Sequence, residues 1–126
     1  MVLLGSYMAQ ILPGMETIFL KGELGAGKTM FAKGVGSALH IQEEILSPTF
    51  VLLREYEGIR FLQHFDLYRL TNKEELINLG FFDCLGKPGI KLVEWADRFP
   101  EIAGYADMVV QIQVASETGR MVEFYA

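Results

Sequence analysis

The period of the hydrophobic positions changes several times along the chain, and each change marks an element. Leu4, Met8, Ile11 and Leu12 recur at the spacing of one helical face, and Pro13-Gly14 then ends the segment. Thr17-Ile18-Phe19-Leu20 is a brief β-branched and aromatic run that leads straight into a glycine-rich stretch. Phe31, Val35 and Leu39 return to helical spacing. The order is strand, loop, helix. Gly34 and Gly36 weaken that helix by about 1 kcal/mol each relative to alanine, so close packing on a sheet is expected to hold it.

Further on, residues 51–56 and 59–65 are two apolar runs separated by Glu57-Gly58, which predicts an antiparallel pair on a two-residue turn with glycine supplying positive φ. Thr71-Asn72-Lys73-Glu74 fits a capping box, and the helix it opens is expected to stop near Gly80. Phe81 and Phe82 read as core. Gly89 precedes a strand over 90–93 that ends in Glu94-Trp95, and 108–114 and 121–124 predict two more strands joined through Thr118-Gly119. There is no internal repeat or low-complexity tract. Residues 1–126 are expected to form one α/β domain, a mixed sheet with flanking helices and an antiparallel portion.

Composition narrows the function classes. Apolar residues make up 51%, charged residues 21%, and the net charge is -5. Eleven Lys and Arg spread without a basic run argue against free-standing affinity for nucleic acid, so any role near RNA needs a more basic partner. The single cysteine, Cys84, excludes an internal disulfide and reads as a small buried apolar residue. With two distant histidines, His40 and His64, it gives no zinc-ligand spacing. No stretch reaches the roughly 18 apolar residues of a membrane span, and Met1-Val2-Leu3-Leu4 lacks the basic flank of a signal peptide, so the cytoplasm is expected.

The strongest chemical signal is Gly22-x-x-x-x-Gly27-Lys28-Thr29, a phosphate-loop pattern lying between a predicted strand and a predicted helix. By chance the pattern arises on the order of once in a few hundred chains of this length, given average residue usage. Small residues let successive N–H groups curl around an anion, and the helix that follows points its positive end at the same place. Lys28 is then expected to reach the β- and γ-phosphates, and the Thr29 hydroxyl to bind Mg²⁺.

Such a site also needs a carboxylate at the end of a neighbouring strand. Asp66 and Glu94 both terminate apolar runs, and the carboxyl ends of parallel strands line the ligand crevice. Spacing alone does not assign which of them holds the metal. Ser47-Pro48-Thr49 lies where a γ-phosphate-sensing loop is often placed, and it also reads as a plain turn that starts a strand. Trp95 reads as packing or as a contact to nucleotide or partner. His64 reads as a half-buried strand residue with no metal role.

Together with the glycine loop, Ser47-Pro48-Thr49-Phe50, residues 64–70 (His-Phe-Asp-Leu-Tyr-Arg-Leu), Glu74-Glu75-Leu76 and Val93-Glu94-Trp95 resemble the TsaE family of bacterial ATPases in order and spacing. The resemblance runs from about Leu4 to the end of the chain. It implies a P-loop NTPase-like fold and a part in forming threonylcarbamoyladenosine in tRNAs that read codons beginning with adenine. It also implies protein partners, the transferase TsaD with TsaB, whose repeated turnover needs ATP hydrolysis, and only indirect contact with tRNA. Carried over by position, Leu24, Gly25, Ala26, Gly27, Lys28 and Thr29 would bind ATP, and Thr29 and Glu94 would ligate Mg²⁺. Asp66 would act at the γ-phosphate beside the catalytic Lys28, and Thr49, Trp95 and Arg120 would border the nucleotide. Two departures stand out. The family's usual N-terminal strand before the first helix has no counterpart, and Met30 replaces a second threonine after Lys28.

Two other classes fit a phosphate loop. A small-molecule kinase needs a lid that excludes water, and five arginines with no long insertion argue against it. A nucleotide-gated binding module would use ATP only to order the 47–49 loop.

Overall fold

The computed structural model describes residues 1–11, 17–23 and 26–125. Helix α1 (Val2–Ile11) is followed by strand β1 (Thr17–Lys21) and helix α2 (Lys28–Ala38). Then come strands β2 (Leu53–Tyr56) and β3 (Leu62–Asp66), the short helices α3 (Lys73–Asn78) and α4 (Phe81–Leu85), and strand β4 (Ile90–Glu94). Two 3₁₀ turns, Ala96–Arg98 and Pro100–Tyr105, lead to β5 (Met108–Val114) and β6 (Arg120–Tyr125). The six strands form one sheet in the order β2-β3-β4-β1-β5-β6. The inner four are parallel, and β2 and β6 pair antiparallel at the edges. This is the mixed α/β sheet with an antiparallel portion that the hydrophobic pattern predicts. Among the described residues no helix is long and apolar enough to cross a membrane.

Strand alternation sorts the core into two layers. Ile18, Leu20, Leu62, Ile90, Leu92, Val110 and Ile112 pack with Phe31, Ala32 and Val35 of α2 and with Met8 of α1. On the other face Phe19, Phe65, Val93 and Val109 meet Leu76, Phe81, Phe99 and Ile102, contributed by the short helices and the 3₁₀ turns. Phe81 is therefore core as expected, with its ring edge-on to Phe65 at 5.2 Å, while Phe82 is half-buried beside it.

Helix α2 packs on the sheet as expected, through Phe31, Ala32 and Val35. Its glycines face other neighbours: a Cβ on Gly34 would overlap the carbonyl of Val2, and one on Gly5 would overlap that of Phe31, so α1 and α2 touch backbone to backbone there. Gly36 makes room for the Ile45 side chain, which a Cβ would approach to 2.8 Å. The hairpin and the next helix cap depart from expectation. The hairpin loop is five residues, 57–61, because Tyr56 pairs with Leu62. Gly58 is there for close approach to Leu39, whose carbonyl accepts the Ile59 N–H at 2.8 Å. The helix cap falls one residue later than Thr71: Asn72 accepts the Glu75 N–H at 2.9 Å, and Thr71 donates to the Glu75 carboxylate. Asn72 wins because Asn is at least as good a cap as Thr and sits where the chain is still extended, φ -149°. Gly80, at φ 86°, ends this helix as expected and starts α4. Leu12 and the Pro13-Gly14 stop lie outside the described residues.

Candidate active site

The site lies where β1, β3 and β4 end. In the parallel register Asp66 stands beside Glu94, and Leu20 stands beside Glu94 on the other side. Residues two apart on a strand share a face, so His64 and Asp66 of β3 and Leu92 and Glu94 of β4 face the α2 side. A one-residue slip of β3 would exchange its faces, sending His64 and Asp66 into the layer of Phe81 and Phe99 and turning Phe65 toward α2.

Helix α2 begins at Lys28 above these carboxylates. Gly27 caps it at φ 113°, a left-handed angle that favours glycine, and no side chain caps the first turn. Amides in the first turn of a helix are donors suited to an anion. A Cβ on Gly27 would also press within 2.8 Å of the Met1 side chain.

Lys28 is 9% exposed and its Nζ lies 3.4 Å from Glu94 Oε1. The other Glu94 oxygen, Oε2, accepts a hydrogen bond from His64 Nε2 at 2.5 Å. Burial pushes the Glu94 carboxyl up, but the hydrogen bond and field of His64 together with the Lys28 ammonium outweigh it and hold the group below its ordinary value. Asp66 shifts the opposite way. Burial, with the charge of Glu94 alongside, raises it against the Tyr68 amide bonded at 2.9 Å, the Thr49 hydroxyl and Lys28. Two neighbouring carboxylates pushed apart in this way are suited to different tasks.

A cavity of about 620 Å³, within the range of small-ligand sites, opens over this group. Lys28, Thr29, Thr49, Asp66, Glu94 and Trp95 all line it, so the structure brings these expected residues together. Trp95 holds φ 62°, which costs a non-glycine residue about 1–3 kcal/mol, and its ring lies 4.8 Å from Lys28 Nζ and 4.9 Å from the Tyr68 ring. Ser47 and Thr49 share a 2.6 Å hydroxyl contact at the rim. Arg120 does not line the cavity; it donates to the carbonyl of Ala26 at 3.2 Å and braces the phosphate loop from behind. Ala26 is fully buried there. A smaller cavity of about 250 Å³ lies on the β5 side of the loop, between Asp97, Gln111 and Gln113. Leu24 and Gly25 lie outside the described residues.

With this geometry in view, the model of one protein family, "Threonylcarbamoyl adenosine biosynthesis protein TsaE", matches residues 1–122. The chain belongs to the TsaE family. The "tRNA threonylcarbamoyladenosine biosynthesis protein TsaE" of Treponema pallidum is 35% identical over 92% of this chain and 86% of its own length. The protein of the same name from a Nostoc species is 44% identical over 77% of this chain and 62% of its own length. Among solved structures, the crystal structure of YdiB from Bacillus subtilis superposes with a TM-score of 0.67 at 26% identity, covering 98% of this chain and 79% of that one.

Two residues of this TsaE-family chain stand at the site although sequence reasoning assigns them no place in it. His64 is fully buried, not half-buried, and it grips Glu94. Tyr68 lines the cavity and its amide holds Asp66. Strand alternation running back from Asp66 places His64 on the same face, a signal that points to it once Asp66 is suspected.

Proposed function

We propose that the chain is a single P-loop ATPase domain acting in the cytoplasm in the formation of threonylcarbamoyladenosine in tRNA. Its ATP binding and hydrolysis would support turnover of a TsaB–TsaD transferase pair, with tRNA met only through those partners. The observation that carries this reading is the register Asp66↔Glu94 directly beneath Lys28 at the start of α2. The names of the related proteins support the pathway.

In this reading the uncapped amides of α2 and the Lys28 ammonium bind the β- and γ-phosphates, Lys28 exchanging its contact with Glu94 for them. Thr29 and Glu94 offer hard oxygen donors that fit Mg²⁺. Among the described residues no group of three or more His, Cys, Asp and Glu could hold a metal unaided, which suits an ion that takes most of its ligands from phosphate and water. Bound there, Mg²⁺ would supply positive charge that offsets the charge developing in transfer. Asp66, fixed through its Oδ1 by the Tyr68 amide, orients the attacking water and takes its proton, a task its raised pKa favours. Thr49 couples the 47–49 loop to that carboxylate. Trp95 closes one wall, and Arg120, which the cavity does not reach, acts only through its hydrogen bond to the Ala26 carbonyl.

The deciding experiment measures ATP hydrolysis and tRNA-modification turnover with and without TsaB and TsaD. Hydrolysis is expected to be weak alone and changed by the pair. Identical hydrolysis in both conditions, with no co-purification, would overturn the proposal.

A further inference from the structure

On the α2 side of the sheet, β3 and β4 present Leu62 beside Ile90, then His64 beside Leu92, then Asp66 beside Glu94. The lowest rung is apolar and the top rung is the site. His64 occupies a middle rung that is wholly buried, where a space-filling residue would be apolar like its neighbours. Its Nδ1 finds no partner among the described residues, so the imidazole is not retained for a network of its own. Its one hydrogen bond is the 2.5 Å donation from Nε2 to Glu94 Oε2.

The two Glu94 oxygens therefore have different companions: Oε2 is tied down to His64, and Oε1 is turned up to Lys28 at 3.4 Å. Asp66 and Glu94 stand side by side in register and repel one another, so an untethered glutamate would swing away. We propose that His64 is a positioning residue that holds Glu94 with Oε1 facing the phosphate loop, as a preformed oxygen ligand for a divalent cation. This rests on the ATPase reading above. When Lys28 turns to phosphate, the His64 tether is what keeps the carboxylate aimed. Buried hydrogen-bond partners of metal-binding side chains commonly act in this way.

The test titrates Mn²⁺, followed by electron paramagnetic resonance, into the full chain saturated with a non-hydrolysable ATP analogue. Nucleotide affinity in EDTA and the melting curve are measured alongside. His64→Leu is expected to weaken Mn²⁺ binding about 10–100-fold while leaving metal-free nucleotide affinity within about twofold. His64→Gln, which keeps an N–H donor, is expected to restore most of the loss, and His64→Leu is expected to add nothing further in a Glu94→Gln background. Should His64→Leu not fold, His64→Asn, too short to reach Glu94, is compared with His64→Gln, and equal Mn²⁺ affinities for those two overturn the inference. Wild-type Mn²⁺ affinity in folded His64→Leu also overturns it, leaving the ATPase reading intact. An unaltered chain that takes up no Mn²⁺ with nucleotide overturns both.

Discussion

Strands β3 and β4 each bury polar side chains twice, once on either face, and the two clusters are unlike. On one face Asp66 and Glu94 stand in register with His64 below them and Lys28 above. On the other, Gln63 stands in register with Lys91, and both are buried beside Cys84. Lys91 donates to the carbonyls of Lys87 and Gly89, and Gln63 Nε2 donates to Cys84 Sγ at 3.5 Å. Burial pushes the Cys84 thiol above its ordinary value, as suits an inert packing thiol. Neither cavity is lined by Gln63, Cys84 or Lys91. Burial of charge is thus common to both clusters and does not mark the site. What distinguishes the site is that its partners are side chains facing open space, whereas Lys91 donates to backbone carbonyls away from either cavity.

The two clusters should respond differently to substitution. The largest effect is expected for Lys28→Ala: ATP hydrolysis in the presence of TsaB and TsaD falls about 10²–10³-fold, the scale of losing one fixed electrostatic contact to a transition state. Unchanged nucleotide binding and turnover would remove the phosphate-loop assignment itself. Lys91→Met is expected to cost about 1–3 kcal/mol of stability, read from denaturant unfolding, because it removes the donor from the buried Gly89 carbonyl. Hydrolysis per folded molecule should stay the same, and a loss there would show that the two clusters work as one. The smallest effect is expected for Asp66→Asn on stability. Since the Asp66 carboxyl sits above its ordinary value, the fold binds its proton more tightly than the unfolded chain does. Stability contributed by this group therefore falls as pH rises from the ordinary carboxylate range through the raised one, and above that the ionised form is a standing cost. Asp66→Asn should raise the melting midpoint by a few degrees at neutral pH, with the gap closing in acid, while hydrolysis is lost. A lower midpoint at neutral pH would contradict the assigned shift.

What could be read from the chain alone was local. Gly22 to Thr29 and the strand-end carboxylates announce themselves because the residues that make the chemistry are adjacent in sequence or end a visible apolar run. The His64–Glu94 contact spans 30 residues and depends on the β3–β4 register, so no single window contains it. The hairpin loop is hidden in the pattern because Ile59 and Phe61 look like strand residues yet are exposed, and the chain there is held by Leu39 of a distant segment. Helix α4 leaves no signal in the pattern because five residues are too few to establish a period. Gly34 reads from the chain only as a weak point in a helix, and the fold alone shows that it admits the backbone of α1.

That contact between Gly34 and α1 has a mechanical consequence. At Gly5 and Gly34 the nearest neighbours are backbone atoms of the other helix, so a side chain added at either position meets nothing that can rotate out of its way and must push the two helices apart.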